Sequence, residues 1–348
     1  MLMPWSPQSP ILTAVVGSYP QPNWLIDRDA LKQRLPPRIR ASELWRAQGS
    51  ELKQAQDDAT VLAIKDQEMA GIDIISDGEM RRESYSNQLI NALDGIDRQR
   101  HGTVMGRSGR ETQVPIVSGP LRRASPIHIQ DIKFLKSQTE RIVKITIPGP
   151  FTLSQQSINE YYPDAPSLAM AYAKVLNEEI RDLFLAGADI VQLDEPWLES
   201  RIESARDFAI PAINRAIQDI TGITGIHLCF GYAAMVKKNR KRSYSFLESL
   251  VESKVNQISI EAAQPKLDLS ILGSLQDKTM LVGMLDLSKE EIEPPNLIAD
   301  RILAALNFLS PERLIVSPDC GLKYLTRRVA FGKLSSLVQA TALVNAEL

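Results

Sequence analysis

The chain has 348 residues, and 44% of them are hydrophobic, which is enough for one large domain or two smaller domains with a full apolar core. Its formal net charge of −2 gives no overall field that would attract nucleic acid or an anionic membrane. No apolar stretch approaches the roughly 20 residues of a membrane-spanning helix, and the first residues lack the basic and apolar segments of a signal peptide. Two cysteines, far apart in the chain, are typical of a reducing cytoplasmic environment with thiols free for a metal or for chemistry.

Short segments rich in isoleucine and valine alternate with longer amphipathic stretches almost to the end of the chain. The predicted strands, which have the pattern of strands buried on both faces, are 12–16, 73–76, 142–147, 189–193, 225–229, 257–261, 280–285 and 314–318. The clearest predicted helices are 55–70, 166–186, 205–220, 243–253, 296–309 and 328–347. This alternation predicts an α/β fold of the closed TIM (β/α)8 barrel type. A doubly wound open sheet is the alternative, but no Gly-x-Gly-x-x-Gly motif follows any predicted strand.

One stretch, residues 97–125, interrupts the alternation. It contains six arginines, several glycines and one short strand-like piece at 114–118. We predict that it is a hairpin and loop inserted after the second strand, as an excursion over the barrel mouth. Together with this excursion, residues 1–348 are predicted to form a single barrel domain.

Most of the unusual polar clusters lie directly after a predicted strand, and in a barrel these positions converge on the mouth where catalysis takes place. His227 and Cys229 are two residues apart at one strand end, so strand alternation points both side chains to the same side. Glu261 ends the next strand, and Cys320 follows the last one. Zinc favours four ligands of these types, so we predict a shared zinc site. The spacing alone also permits two small buried cysteines and a hydrogen-bonded histidine without a metal.

The four candidate ligands also predict the chemistry of the site. Two thiolates and a carboxylate would leave a bound Zn²⁺ site with a formal charge of about −1. Such a metal activates water poorly, but it can bind an incoming thiol and keep it as an electron-rich thiolate. Because a thiolate is a soft nucleophile suited to attack on carbon, the expected reaction is alkyl transfer to sulfur.

Seven short motifs follow one another along the chain. They are Val-Gly-Ser-Tyr-Pro-Gln-Pro at 16–22, Asp-Gly-Glu at 77–79, Pro-Gly-Pro at 148–150, Gln-Leu-Asp-Glu-Pro at 192–196, His-Leu-Cys at 227–229, Ile-Glu at 260–261 and Pro-Asp-Cys-Gly-Leu-Lys at 318–323. In this order they resemble the cobalamin-independent methionine synthase family, in particular its catalytic C-terminal barrel. The resemblance implies a zinc-dependent methyltransferase on a TIM barrel that makes methionine from homocysteine. It implies that the zinc ligands are His227, Cys229, Glu261 and Cys320.

The resemblance also assigns the residues that hold the amino-acid part of homocysteine. It implies that these are Ser18, Glu79 and Asp194, with the two carboxylates binding the ammonium group of the substrate. Asp194 is for this reason the candidate catalytic residue. From the residues alone, Asp194 and Glu195 could instead form a general acid/base pair.

Three features depart from the family pattern. The long synthase has an additional N-terminal barrel, which we expect to be missing from this short form. Asp77 stands where the family has a histidine, and Ser288 stands where the long synthase has a histidine thought to help protonate the departing folate. Asp286 is the nearby residue that could replace this acid. Because the methyl-donor half of the pattern is altered, we expect methylcobalamin or a corrinoid protein to be a better donor than methylfolate.

Three other functions are compatible with the same residues. A related zinc enzyme could alkylate another small thiol such as coenzyme M, or open an epoxide with it, and Arg81 and Arg82 could then bind its sulfonate. A decarboxylase resembling uroporphyrinogen decarboxylase would share the barrel and need no zinc. A corrinoid- or metal-binding subunit without activity would use zinc for structure alone. The expected partners are a small-molecule thiol and, as one option, a corrinoid or methyl-donor protein, but neither nucleic acid nor a membrane.

Two remaining features have simpler explanations. The basic run at 237–242 could bind an anionic group, although such a run is more often a solvated loop. Tyr85, Tyr161 and Trp197 could form an aromatic wall for a flat donor, although packing is the simpler interpretation.

Overall fold

The structure, a computed structural model, describes residues 10–33, 36–107, 109–231, 243–275 and 277–348. The strands are β1 (Leu12–Thr13), β2 (Ile74–Ile75), β3 (Asp94–Met105), β4 (Glu111–Arg122), β5 (Ile142–Pro148), β6 (Ile158–Asn159), β7 (Ile190–Asp194), β8 (Ile223–Leu228), β9 (Gln257–Ile260), β10 (Thr279–Leu285) and β11 (Leu314–Pro318). The α-helices are α1 (Arg28–Gln33), α2 (Gly49–Ala70), α3 (Asn87–Ala92), α4 (Ile129–Gln138), α5 (Pro150–Gln155), α6 (Ala165–Leu185), α7 (Ile202–Ala216), α8 (Pro295–Leu306) and α9 (Arg327–Asn345).

Eight of the strands form one parallel sheet in the order β1, β11, β10, β9, β8, β7, β5, β2. A parallel bridge between Ala14 and Ile74, with a hydrogen bond from the Val15 amide to the Ile74 carbonyl, joins the two ends of this order. The sheet is therefore a closed barrel, and the predicted TIM (β/α)8 fold is confirmed. Its eight strands are the eight that the sequence predicts, with ends that differ by a few residues, as strand ends commonly do.

The barrel interior is arranged in layers along the strands. The deepest layer is apolar and consists of Leu12, Ala14, Ile74, Ile190, Leu281 and Ile315. Because side chains alternate along a strand, the inward-facing positions above this layer include Lys144 on β5 and Gln192 on β7. One step further along the strands lie Asp194 and His227, which pair with each other in the register of β7 and β8. The polar residues thus accumulate towards the carboxyl ends of the strands, where a TIM barrel places its active site.

A second, three-stranded sheet contains β3 and β4, which lie in the chain between β2 and β5, and β6, which follows β5. β3 and β4 form an antiparallel hairpin, and β4 also pairs with β6 in parallel. The predicted hairpin is confirmed, but both strands are much longer than the short piece predicted at 114–118. Most of β3 is exposed or half-buried, so its sequence lacks the apolar alternation that identifies a strand. That residues 1–348 form a single domain, with residues 97–125 as an excursion over the mouth, stays a prediction.

One predicted helix is wrong. Residues 243–253 contain a six-residue 3₁₀ helix, Leu247–Glu252, instead of an α-helix. The Tyr244 hydroxyl accepts a hydrogen bond from the Glu261 amide and donates one to the Leu228 carbonyl, which ties the start of the segment to two strand ends. The amides of Ser245 and Phe246 donate to the Glu199 carboxylate, so tertiary contacts hold the backbone where the predicted helix would begin. The basic run at 237–242 lies outside the described residues.

The other five predicted helices correspond to α2, α6, α7, α8 and α9, with ends that differ by up to six residues, whereas the shorter helices α1, α3, α4 and α5 were not predicted. Among the helices that the structure describes, none combines the length and the apolar composition that crossing a membrane requires.

Candidate active site

A cavity opens at the carboxyl ends of the barrel strands. Six of the seven residues predicted for the site line it, namely Ser18, Glu79, Asp194, His227, Cys229 and Cys320. The other lining residues are Val16, Gly17, Tyr85, Arg107, Pro196 and Gly321. Residues that are up to about 300 positions apart in the chain therefore meet in one cavity, as the convergence of strand ends in a barrel requires.

The side-chain ligand atoms of His227, Cys229 and Cys320 lie within 4.8 Å of one another, and all three residues are buried. The end of β8 places the first two residues, and the end of β11 places the third. Nδ1 of His227 lies 2.9 Å from Oγ of Ser259, which orients the ring. Nε2 of His227 is buried and has no hydrogen-bond partner in the described part of the chain. An imidazole with one nitrogen held by a neighbour and the other unpartnered beside two thiols fits the chemistry of a zinc ligand.

The two thiols interact with each other. The hydrogen bond with Cys320 is the largest cause that lowers the pKa of Cys229 well below its ordinary value, and His227 and Arg107 act in the same direction, against burial. The same hydrogen bond, together with burial, raises the pKa of Cys320 well above its ordinary value. Without a metal, the pair thus favours one thiolate and one thiol. A cation bound to both sulfurs would displace the remaining proton.

Glu261 lies close to this cluster but is not part of the group within 4.8 Å. It directly follows β9, and its Oε1 accepts a hydrogen bond of 3.0 Å from the Phe230 amide. Its negative charge contributes to the raised pKa of Cys320, after the effects of Cys229 and of burial. The structure therefore brings three of the four predicted ligands together, and the fourth, Glu261, directly follows β9, the strand that pairs with β8.

Asp319 holds the loop after Glu261 against the end of β11. Its Oδ1 accepts hydrogen bonds from the amides of Ala262 and Ala263, and its Oδ2 accepts one of 2.6 Å from the amide of Gln264. The carboxylate also explains a glycine, because a Cβ atom on Gly283 would lie 2.2 Å from Oδ1 of Asp319. Asp319 thereby connects the segment that follows Glu261 to the segment that carries Cys320.

Glu79 presents an unsatisfied oxygen to the same cavity. It has a left-handed backbone, with φ of 56°, and directly follows Gly78, with φ of 65°. Such a conformation is uncommon for a residue other than glycine and is typical of functional sites. Oε1 of Glu79 accepts a hydrogen bond of 3.2 Å from Oγ1 of Thr146. Oε2 is buried without a hydrogen-bond partner among the described residues, so a ligand with N–H groups would satisfy it.

Asp194 lies at the end of β7 and lines the same cavity. Its Oδ1 accepts a hydrogen bond of 2.8 Å from Nε2 of Gln192. Burial raises the pKa of Asp194 to about 7, and the negative charge of Glu79 adds to this increase while His227 opposes it. Two carboxylates that disfavour each other's charge form a site that a cationic ligand would stabilise. Ser18, from the loop after β1, is buried at the same cavity.

Glu195 has a different role from that of its neighbour. Its carboxylate accepts hydrogen bonds from the amides of Phe151 (2.9 Å) and Thr152 (2.7 Å) in the first turn of α5. Burial raises the pKa of Glu195 to about 8, and these hydrogen bonds oppose the increase. A Cβ atom on Gly149 would lie 2.2 Å from Oε1 of Glu195, which accounts for the glycine of the Pro-Gly-Pro motif. Glu195 is not among the residues that line the cavity, so the geometry gives no support to an Asp194–Glu195 acid/base pair.

Among the lining residues that were not predicted as site residues, two have polar side chains, Arg107 and Tyr85. Arg107, on the turn between β3 and β4, donates hydrogen bonds from Nη1 to the carbonyls of Pro196 (3.0 Å) and Cys229 (3.3 Å). Its Nη1 also lies 3.9 Å from Sγ of Cys229. Tyr85, interpreted from sequence as a packing residue, lines the cavity, and its hydroxyl accepts a hydrogen bond of 2.5 Å from Nε2 of Gln156. Of the cavity's lining residues in the described ranges, Arg107 is the one lysine or arginine, and no sequence signal separates it from the five other arginines at 97–125.

The segment after β10 contributes no acid to the cavity wall. Oδ1 of Asp286 accepts hydrogen bonds from the amide of Ser288 (2.8 Å) and from its hydroxyl (2.6 Å). Neither residue is among those that line the cavity.

The fold is a closed (β/α)8 barrel, and its buried polar groups collect at the end where enzymes of this fold carry out catalysis. A family model described as "Cobalamin-independent synthase, Catalytic domain" matches residues 11–343. The chain therefore belongs to the cobalamin-independent methionine synthase family.

Individual relatives agree with this family over almost the whole chain. A methionine synthase from Sulfurisphaera tokodaii is 35% identical over 343 residues, which cover 97% of this chain and 94% of the relative. The structure of a B12-independent methionine synthase from Shewanella sp. W3-18-1 in complex with selenomethionine matches with a TM-score of 0.88 and 31% identity, over 100% of this chain and 99% of that chain. A putative vitamin-B12 independent methionine synthase from Listeria monocytogenes matches over 97% of this chain and 99% of that chain, but at 21% identity and a TM-score of 0.73 it supports the fold alone.

Proposed function

We propose that this enzyme is a zinc-dependent methyltransferase that transfers a methyl group to the thiol of homocysteine and gives methionine. The observation that carries the proposal is a single cavity lined both by a cluster of one imidazole and two thiols and by two buried carboxylates. Homocysteine has a thiol at one end and an ammonium group at the other, so it matches both groups of residues. The match to a relative described in complex with selenomethionine, an amino acid of closely similar shape, supports the same assignment.

The metal would be held by Nε2 of His227 and the sulfurs of Cys229 and Cys320, and we propose Glu261 as the fourth ligand. When bound, zinc would supply a soft Lewis acid that lets the substrate thiol lose its proton near neutral pH. The residues of the chain support this role in two ways. Ser259 orients the imidazole, and the proton shared by the two cysteine thiols is available for release to solvent.

Glu79 and Asp194 would bind the ammonium group of homocysteine, and Ser18 would contact the same amino-acid part of the substrate. The unpartnered Oε2 of Glu79 supplies an acceptor for one N–H group of the ammonium. A cation at this position would also offset the mutual repulsion that, after burial, adds to the raised pKa of Asp194. Asp194 is the proposed catalytic residue because it holds the substrate so that its sulfur points towards the metal cluster.

The reaction balances without a further reagent. A lone pair of the substrate sulfur forms the new S–CH₃ bond while the bond between the methyl carbon and the donor atom breaks. The electron pair of the broken bond leaves with the donor, and the thiol proton passes to solvent. A folate nitrogen needs protonation to accept that pair well, whereas a cobalt centre does not. Because the cavity wall has no acid from the segment after β10, we propose a corrinoid-bound methyl group as the donor, consumed as a substrate and not retained as a cofactor.

The contacts of two arginines argue against the alternative of a sulfonate thiol. Arg81 forms ion pairs with Asp57 and Asp131, and Nη1 of Arg82 donates to the Thr146 carbonyl at 2.7 Å. Neither arginine lines the cavity, so neither is placed to bind a sulfonate group there. The cluster of His227 with both cysteines likewise argues against a zinc-free decarboxylase.

A donor screen with zinc-loaded protein tests the proposal. Homocysteine is mixed with methylcobalamin, with methylfolate or with an epoxide, and the products are identified by mass spectrometry. We expect methionine with at least one methyl donor, and release of a proton when homocysteine is added without any donor. An inactive metal-binding subunit would give neither signal. Product with another small thiol, and none with homocysteine, would overturn the substrate assignment.

A further inference from the structure

A fully buried lysine lies inside the barrel, deeper than Asp194, because it pairs with Ile190 in the register of β5 and β7. Lys144 occupies an inward-facing position of β5, and its side chain has no solvent-exposed surface. In the described part of the chain it forms no direct ion pair with a carboxylate. A buried ammonium group without such a partner is costly, and any role of Lys144 beyond packing would come from the groups that it contacts.

The lysine is connected to Asp194 by two successive hydrogen bonds. Nζ of Lys144 donates to Oε1 of Gln192 at 3.0 Å and to the Val15 carbonyl at 2.5 Å. Nε2 of Gln192 then donates to Oδ1 of Asp194 at 2.8 Å and to the Val16 carbonyl at 3.2 Å. All three side chains are buried, so water does not compete for these bonds.

The direction of these bonds follows from the chemistry of the groups. An ammonium group can donate hydrogen bonds but cannot accept them. Lys144 therefore requires the oxygen of the Gln192 amide on its own side, which leaves the NH₂ group of Gln192 facing Asp194. Without the lysine, the amide of Gln192 could turn its oxygen towards the carboxylate, and the two oxygens would repel each other.

The negative charge of Asp194 also favours the charged form of the lysine. Burial lowers the pKa of Lys144 to about 7, and the negative charge of Asp194 opposes this decrease. Burial raises the pKa of Asp194 to about 7. Each group would tend towards its neutral form if it were buried alone.

We propose that Lys144 is a positioning residue that acts through Gln192 to hold Asp194 in the orientation that binds the ammonium group of an amino-acid thiol. This inference rests on the proposed function, because it assumes that Asp194 receives an ammonium group. It assigns the lysine an effect on which thiols are bound, in addition to any effect on folding.

The test uses zinc-loaded protein and two thiols that differ in one group. Homocysteine carries the ammonium group, and 4-mercaptobutyric acid is the same molecule without it. Isothermal titration calorimetry gives both dissociation constants, and their ratio is the preference for the ammonium group. In Lys144→Met, which has similar volume and no donor, this preference should fall by about 10-fold, the effect of losing one charge-assisted hydrogen bond. The affinity for 4-mercaptobutyric acid should stay close to that of the wild type.

Two further variants separate a positioning role from a structural one. Gln192→Met removes the connection and keeps the lysine, so it should reduce the preference to a similar extent, and it carries the test if Lys144→Met does not fold. Lys333→Met is the matched control, because Lys333 is equally buried but is bound to Glu293 and to the Asp286 carbonyl. This control should keep the wild-type preference. A lysine that serves folding alone would change the affinity for both thiols equally.

A double-substitution cycle tests whether Lys144 acts through Asp194. The variant with both Lys144→Met and Asp194→Asn should have the same preference as Asp194→Asn alone, because the carboxylate on which Lys144 acts is already absent. Additive losses, or an unchanged preference in both Lys144→Met and Gln192→Met, would overturn the inference. Equal wild-type affinity for the two thiols would overturn it too. A wild-type preference without methionine formation from any donor would instead count against the proposed function alone.

Discussion

The cavity is lined by two groups of residues that are built in different ways. We call them the metal end (His227, Cys229 and Cys320) and the amino-acid end (Ser18, Glu79 and Asp194). At the metal end, His227, Cys229 and Cys320 lie within 4.8 Å of one another, so the ligand atoms themselves form the site. Two side chains contact these ligands directly. Ser259 lies within hydrogen-bond distance of the imidazole, and Arg107 donates a hydrogen bond to the Cys229 carbonyl. The site at this end therefore depends mainly on which atoms are present.

The amino-acid end depends on how a buried network orients its oxygen atoms. Thr146 donates to Glu79, and Gln192 donates to Asp194, which in turn is connected to Lys144. These groups are common ones, and their function comes from position and charge. We therefore expect substitutions at the metal end to abolish function, and substitutions at the amino-acid end to change affinity by degrees.

The largest effect is expected from the loss of one sulfur. Cys320→Ser should lose most of its zinc and reduce the rate of methionine formation by at least about 100-fold, because serine is a poor zinc ligand at neutral pH. Zinc per chain is measured by inductively coupled plasma mass spectrometry. The wild type and Asp194→Asn should each hold about one zinc per chain. Full retention of zinc by Cys320→Ser would show that Cys320 is not a ligand.

The choice of methyl donor should give the next largest effect. In a partner-free assay, free methylcobalamin should outperform methylfolate by about 100-fold, the contribution that a well-placed general acid commonly makes and that this site lacks for folate. Initial rates of methionine formation with each donor at equal concentration measure this ratio. Efficient turnover with methylfolate would contradict the prediction and would direct attention to Asp286 as the acid.

The difference between the two ends also determines what the sequence could predict. The chain contains two cysteines and three histidines, so the placement of three of them at strand ends was informative. It contains 42 aspartates and glutamates, so nothing in their spacing identifies Glu79 or Asp194, and these were predicted through the family motifs. Lys144 was not singled out, because one lysine in an apolar strand carries no signal about the groups it faces across a barrel.

The parts of the fold also differ in how well the sequence predicts them. The eight barrel strands were predicted because burial on both faces demands continuous apolar runs. The lengths of β3 and β4 were underestimated because strands with many exposed positions do not require continuous apolar sequence. The contact of Arg107 with Cys229 joins a hairpin turn to a strand end 122 residues away, and such a pairing depends on tertiary structure alone.

At the amino-acid end, Asp194→Asn should weaken homocysteine binding by roughly 10- to 100-fold, because one or two charge-assisted hydrogen bonds are lost. Calorimetric titration of zinc-loaded protein measures the change. Zinc content and the affinity for 4-mercaptobutyric acid serve as controls and should not change. Normal homocysteine binding by Asp194→Asn, with failure towards another thiol, would show that the substrate assignment is wrong.

A smaller effect is expected from pH, which should change the preference for homocysteine over 4-mercaptobutyric acid through Asp194 at the amino-acid end. The pKa of Asp194 is raised to about 7, so the carboxylate becomes protonated as the pH falls through this value and can no longer attract an ammonium group. The preference for homocysteine over 4-mercaptobutyric acid should then decrease by up to about 10-fold per pH unit below 7. The ratio cancels the protonation of the thiols, which both ligands share. A constant ratio between pH 5.5 and 8 would exclude Asp194 as the titrating group.

The smallest effect concerns the hairpin that reaches the metal end. Nη1 of Arg107 donates to the carbonyls of Pro196 and Cys229, so the turn between β3 and β4 is bound to the cavity wall. Loss of these bonds in Arg107→Gln should favour opening of the turn by about 1 kcal/mol, which corresponds to roughly a fivefold change. Arg110→Gln is the matched control, because Arg110 belongs to the same turn and is exposed.

Alkylation of the two cysteines in metal-free protein measures this opening directly, because the chain has no other cysteine and both are buried. The rate with a bulky maleimide is divided by the rate with iodoacetamide, which removes the effect that Arg107 has on the pKa of Cys229. The quotient should rise about fivefold in Arg107→Gln and stay at the wild-type value in Arg110→Gln. Equal quotients in all three proteins would mean that Arg107 does not control access to the thiols, and that the metal end is enclosed by the barrel alone.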